Sequence, residues 1–87
     1  MIVQTTKNFD KQYVKLSARH KAQFKERVAL FKRNPFDETL RNHALQGKKY
    51  KGYRSIDIAG DLRALYCVKG DRIFIFGFIG SHSQLYR

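Results

Sequence analysis

Two histidines, His43 and His82, are too far apart in this sequence to meet except through the fold. An imidazole with its ordinary pKa of about 6.5 takes up and returns protons near neutrality. Between them lie the carboxylates Asp57 and Asp61, the guanidinium of Arg63, and a run that interleaves cations with tyrosines, Lys48-Lys49-Tyr50-Lys51-Gly52-Tyr53-Arg54. These are the groups that RNA cleavage without a metal requires. A base takes the 2′-hydroxyl proton, an acid protonates the 5′-oxygen, and cations meet the charge that develops on phosphorus. Lysines and arginines neutralise phosphates, and aromatic rings stack on unpaired bases. Tyr86 follows His82 by four residues and can share its site, stacking on a base or sealing the edge of the core. No carboxylate cluster suggests magnesium, no glycine loop cradles a phosphate, and the lone Cys67 leaves no cysteine set for zinc. No cofactor is expected.

Each of these groups also has a plainer reading. Arg63 stands mid-strand among apolar neighbours, where a charge is costly unless paired. It is either the partner of Asp57 or Asp61, or a phosphate ligand. The Lys/Tyr segment is either an RNA-facing surface or a charged loop whose tyrosines pack on the core. That packing is the better account of Tyr53, whereas Lys49 and Lys51 favour the RNA reading. His20 belongs to a solvated turn and carries little weight.

The elements that must position these groups follow from periodicity. Ile2 to Thr5 reads as a short strand. Asn8 caps a helix whose apolar stripe is Phe9, Tyr13 and Leu16. A second helix runs from about Arg19 to Arg33, with Phe24, Val28 and Phe31 inward and Lys21, Lys25, Arg27 and Lys32 outward; Asn34-Pro35 stops it. After a polar connection, Asn42 to Lys51, the period changes to two. Ile56 and Ile58 alternate with Ser55 and Asp57. A turn at Ala59-Gly60-Asp61 leads to a strand through Val68, and Lys69-Gly70-Asp71 turns into a strand from Arg72 to Ile79. In that last strand Phe74, Phe76 and Phe78 oppose Ile73, Ile75 and Ile79, so it is expected to lie inside the sheet, covered on both sides. The expected fold is α+β, in the order β-α-α-β-β-β, with two N-terminal helices packed on one face of a small, mostly antiparallel sheet.

Composition limits the function. Eighty-seven residues allow one small domain, residues 1–87. Eighteen Lys and Arg against seven Asp and Glu give a net charge of +11. With 43% hydrophobic and 14% aromatic residues, the chain is not a disordered polycation. The charge therefore sits on a folded surface that attracts phosphates, anionic membranes or an acidic protein. The absence of a long apolar run argues against a signal peptide or membrane anchor. A single cysteine fits a reducing compartment, and a cytoplasmic protein with no membrane partner is expected.

Four segments together resemble one family: His43-Ala44-Leu45-Gln46-Gly47, Tyr50-Lys51-Gly52-Tyr53-Arg54, Asp61-Leu62-Arg63-Ala64-Leu65-Tyr66, and Gly80-Ser81-His82-Ser83-Gln84-Leu85-Tyr86. Over nearly its whole length the chain resembles toxins of the RelE/ParE superfamily of bacterial type II toxin–antitoxin systems, in their YafQ-like branch. The resemblance implies a RelE-like fold and a ribosome-dependent endoribonuclease, an mRNA interferase that cuts mRNA in the A site of the 70S ribosome. It implies a site of His43, Asp61 and His82, with Tyr86 where the family has an aromatic residue and Arg63 where RelE-like members carry a phosphate-binding arginine. Asp57 stands where YafQ-like proteins usually have a second histidine; it is a base at neutral pH and a poor acid, or it orients a histidine. One of His43 and His82 is the expected general acid, and the other, or an aspartate, the general base. Lys48, Lys49, Lys51 and Arg54 are the expected RNA-binding cations. The implied protein partner is a cognate acidic antitoxin; the toxin is monomeric alone and part of a larger complex with it. ParE-like relatives share the fold and poison DNA gyrase without this histidine set. A non-catalytic RNA-binding module is the other rival.

Overall fold

In the computed structural model, residues 1–86 are described. Strand β1 (Ile2–Thr5) leads to helices α1 (Lys7–Val14) and α2 (Ala18–Arg33). A 3-10 turn (Glu38–Leu40) precedes strands β2 (His43–Ala44), β3 (Arg54–Ala59), β4 (Leu62–Lys69) and β5 (Ile73–Ser81), and a one-turn helix α3 (His82–Leu85) follows. The five strands form one sheet in the order β1-β5-β4-β3-β2. Only β1 with β5 is parallel; the other pairs are antiparallel. The α+β architecture expected from the periodicity is present.

The helix boundaries follow from side chains that satisfy orphan N–H groups. Thr6, not Asn8, caps α1, its hydroxyl accepting from Phe9 N at 3.1 Å. Asn8 instead donates from Nδ2 to the Gly77 carbonyl at 2.9 Å. Ser17 caps α2 through His20 N, so His20 lies inside the helix rather than in a turn. Arg27 does not face outward freely: its Nε donates to the Ile58 carbonyl at 3.1 Å and ties α2 to β3.

The helix-covered face holds an aromatic core. Phe9, Phe24, Phe31, Tyr66 and Phe76 are buried with Leu40, Ile56, Ile58 and Ile79. Their rings meet edge-on or tilted, as in Phe31–Tyr66 (4.9 Å between centroids) and Phe24–Phe76 (5.6 Å), an arrangement worth about 0.5–1.5 kcal/mol per pair beyond burial. The expected alternation in β5 breaks at Gly77. Tyr66 pairs with Phe76 but Leu65 pairs with Phe78, so one residue of β5 is extra. Such a bulge reverses the faces beyond it. Phe74 and Phe76 therefore share the helix side with Ile79, while Phe78 turns to the other side, where it packs with Tyr50, Tyr53, Leu65 and Leu85. The helix side chains absorb the irregular backbone: Ile79 N donates to Gln12 Oε1, and Thr6 and Asn8 donate to Gly77 O.

Candidate active site

The face away from the helices carries a cavity of 420 Å³ at the β2–β3–β4 end of the sheet, lined by Arg41, His43, Ser55, Asp57, Arg63, His82 and Tyr86 among others. Antiparallel register places the strand residues. Asp57 stands directly opposite Arg63, and His43 opposite Ser55. A second bulge follows Asp57, since Asp57 pairs with Arg63 while Ala59 pairs with Leu62. It ends the regular ladder at the cavity, and bulges of this kind re-aim side chains beside functional sites.

Both arginines converge on Asp57. Arg63 Nε lies 3.0 Å from Asp57 Oδ1, with both side chains about four-fifths covered. Arg63 Nη1 also donates to the Gly60 carbonyl at 2.8 Å. Arg41 Nε lies 3.6 Å from the other carboxylate oxygen, and its side chain is 77% exposed. The pairing with Asp57 weighed for Arg63 is thus made, and the arginine lines the cavity as well.

His43 is oriented by its backbone neighbourhood. Its Nδ1 lies 2.8 Å from the Arg41 carbonyl. A carbonyl only accepts, so Nδ1 carries the proton, and in the neutral ring Nε2 holds the free lone pair. Such a tautomer suits a general base. His82 and Tyr86 arrive on α3. Ser81 and Gln84 form a reciprocal capping box, Ser81 Oγ accepting from Gln84 N and Gln84 Oε1 accepting from Ser81 N. His82 N donates to the Asp61 carbonyl at 3.0 Å. One helical turn separates His82 from Tyr86, so their rings lie on one side with centroids 4.7 Å apart. Burial raises the Tyr86 phenol above its ordinary pKa and nearby Tyr50 adds to the rise; the Ser55 hydroxyl and Arg63 charge oppose it. Ser55 Oγ is fully buried and nevertheless lacks a partner in hydrogen-bonding geometry. Its dipole bears on the neighbouring Tyr86 phenol without a formed hydrogen bond.

Other expected site residues fall elsewhere. The Asp61 side chain is on a separate depression with Arg19, His20, Gln23, Ala59 and Gly60; only its carbonyl serves the cavity, by holding His82 N. A turn residue presents its carbonyl and side chain in different directions, which the sequence does not reveal. Lys49 Nζ donates to the Leu85 carbonyl at 3.2 Å and lies 5.3 Å from the Tyr50 ring centroid. Tyr50 Oη donates to the same carbonyl. Lys49 and Tyr50 therefore tether the end of α3 instead of lining the cavity. Lys48 and Lys51 are exposed and outside its lining. Arg54 is on the helix side of β3, its Nε donating to Asn42 Oδ1 at 2.8 Å and its guanidinium 5.3 Å from the Phe36 ring centroid.

Arg41 and Ser55 were missed in the sequence. The alternation already sets Ser55 on the face of Asp57, but a serine there gives no sign of a site. Arg41 takes a left-handed backbone (φ 48°, ψ 45°) after the 3-10 turn, and its residue type gives no sign of that. Among the described residues no three of His, Cys, Asp and Glu cluster where they could hold a metal ion.

A family model described as the bacterial toxin of type II toxin–antitoxin systems, YafQ, matches residues 1–87. No curated protein sequence matches the chain. Among solved structures, the chain is similar to YafQ from E. coli strain BL21(DE3), with 25% identity, a TM-score of 0.81, and coverage of 98% of this chain and 97% of that one. It is also similar to the toxin in the E. coli DinJ–YafQ toxin–antitoxin complex, with 25% identity, a TM-score of 0.79, and coverage of 98% and 96%. The archaeal RelE–RelB complex from Pyrococcus horikoshii OT3 shares the fold, with 20% identity, a TM-score of 0.74, and coverage of 95% and 96%.

Proposed function

The chain belongs to the YafQ family of bacterial type II toxins, and from that premise we propose that it is a ribosome-dependent endoribonuclease, cutting mRNA in the A site by acid/base transesterification without a metal. The observation that carries this reading is the convergence of His43, His82 and Arg63 on one cavity from three separate elements. His43 Nε2 takes the proton of the 2′-hydroxyl, which attacks the adjacent phosphorus. His82 protonates the departing 5′-oxygen. A 2′,3′-cyclic phosphate remains on one product and a 5′-hydroxyl on the other. Arg63, fixed by Gly60 O and Asp57, meets the charge of the pentacoordinate phosphate. Tyr86, neutral well into the alkaline range, offers its ring to a base. Asp57 faces two guanidiniums, which supports an orienting role over that of proton carrier.

The basic outer surface of the helices, with Lys11, Lys15, Lys21, Lys25 and Lys32, docks the protein on ribosomal RNA without reading sequence. A cognate acidic antitoxin covers the same positive surface; the DinJ–YafQ and RelE–RelB complexes give that partnership its support. The test is expression with and without the neighbouring antitoxin, followed by mapping of mRNA 5′ ends. In-frame cuts bearing 2′,3′-cyclic phosphate are expected, and their loss in His82→Ala. Growth arrest with uncut mRNA and inhibited gyrase would instead favour the gyrase-poison alternative.

A further inference from the structure

We propose that Arg41 is a second phosphate-binding guanidinium of the cavity, held against Asp57 until an RNA phosphate takes the place of the carboxylate. The proposal rests on the RNA-cleaving reading of the same cavity and adds a residue to it.

Arg41 and Arg63 meet the same carboxylate in different states. Arg63 is committed, with Nε on Asp57 and Nη1 on Gly60 O. Arg41 approaches Asp57 only to 3.6 Å, beyond hydrogen-bonding distance, and is largely in solvent. Among the described residues its guanidinium makes no hydrogen bond, so both Nη groups remain open to a ligand on the cavity side. A phosphodiester oxygen carries the same charge as a carboxylate oxygen, and a guanidinium binds either through paired N–H groups.

The backbone points the same way. Arg41 is the one non-glycine at positive φ among the described residues. Strained positions persist only where their surroundings over-determine them, and the surroundings here are extensive. Asp37 caps the preceding turn through Thr39, Leu40 is fully buried, and Arg41 N donates to Glu38 O. Next in the chain, Asn42 Nδ2 donates to Pro35 O and to Tyr66 Oη, while Asn42 Oδ1 accepts from Arg54. A loose, exposed ion pair adds too little to explain this support. The turn delivers two things to the cavity at once: the Arg41 side chain, and the Arg41 carbonyl that orients His43.

The test uses a single-stranded RNA hexanucleotide, 2′-O-methylated throughout so that it cannot be cut, bound to the intact protein and followed by fluorescence anisotropy over a salt series. Arg41→Gln is expected to weaken binding roughly tenfold and to lower the slope of log affinity against log salt by about 0.7, the value for one phosphate contact on a single strand. Arg41→Lys is expected to keep the slope while losing part of the affinity, because the fork is gone but the charge remains. In an Asp57→Asn background the loss from Arg41→Gln is expected to persist in full. An unchanged slope in Arg41→Gln, disappearance of its effect once Asp57 is neutral, or no binding by the unsubstituted protein would each overturn the proposal. Cleavage by the unsubstituted protein on programmed ribosomes is measured alongside. Its absence would defeat the ribonuclease reading while the binding series still judges Arg41.

Discussion

The two faces of the sheet are made by the same strands and differ in almost every other respect. The helix side is a closed aromatic core in which Phe24, Phe31, Tyr66 and Phe76 fill one another's gaps, and even Tyr66 Oη has a partner in Asn42. The far side has a small apolar cluster around Tyr50, Leu65 and Leu85, and beside it a cavity with an orphaned hydroxyl, two arginines on one carboxylate and two histidines. Period-two alternation lets neighbouring residues of β3 serve both: Ile56 and Ile58 hold the fold, while Ser55 and Asp57 face the cavity. Stability and chemistry are thus separable one residue at a time.

The strongest test of that separation pairs one residue from each face. Phe76→Ala is expected to cost about 3–5 kcal/mol, a large share of the stability of so small a domain, read from urea unfolding. His43→Ala or His82→Ala is expected to lower mRNA cleavage on programmed ribosomes by about 10²–10⁴-fold with the unfolding midpoint nearly unmoved. A midpoint that collapses in either histidine variant would break the comparison. Ser55→Ala sharpens it. Removing a buried, unpartnered hydroxyl is expected to leave stability unchanged or raise it by up to about 1 kcal/mol, while cleavage falls several-fold. Arg41→Gly should show the same opposition more weakly, gaining up to about 1 kcal/mol from relief of the left-handed backbone and losing RNA affinity.

The smallest effect lies at alkaline pH. Burial raises both the Tyr86 and Tyr53 phenols, Tyr53 also through its neighbour Cys67. Above about pH 10 the unfolded chain releases protons that the folded chain keeps. The stabilisation is full below that pH and declines as pH rises through the folded-state values. Tyr86→Phe and Tyr53→Phe should each flatten part of the decline in unfolding free energy measured from pH 9 upward; curves that superimpose on the unsubstituted protein would refute this.

Much of this organisation was legible in the sequence, for identifiable reasons. Strong stripes such as Phe24-Val28-Phe31 and the alternation through β3 and β4 fix elements that packing only confirms. The convergence of His43, Arg63, His82 and Tyr86 was expected by resemblance and agrees with the cavity lining. The departures are local. The extra residue at Gly77 reverses half of β5, because a bulge depends on which partner strand is present. Helix α3 was missed although Ser81-His82-Ser83-Gln84 spells a capping box. Lys49 and Arg54 read as RNA cations because composition cannot tell a solvated charge from one spent on a carbonyl or an aromatic ring. Asp61 was placed by family pattern, and its side chain points to another depression.

The parallel pairing of β1 with β5 has a consequence for synthesis. Thr6 reaches Gly77 across a separation of 71 residues, and the first strand has no other partner in the sheet. A ribosome making this chain extrudes β1 long before the strand that must receive it. The edge waits unpaired, and β5, with the His82 turn behind it, comes late. On the proposed function, translation itself sets a delay: the nascent protein stays inert toward the machine that builds it until β5 and α3 have emerged to complete the cavity. That interval is the window in which a waiting antitoxin can meet the chain before it is armed.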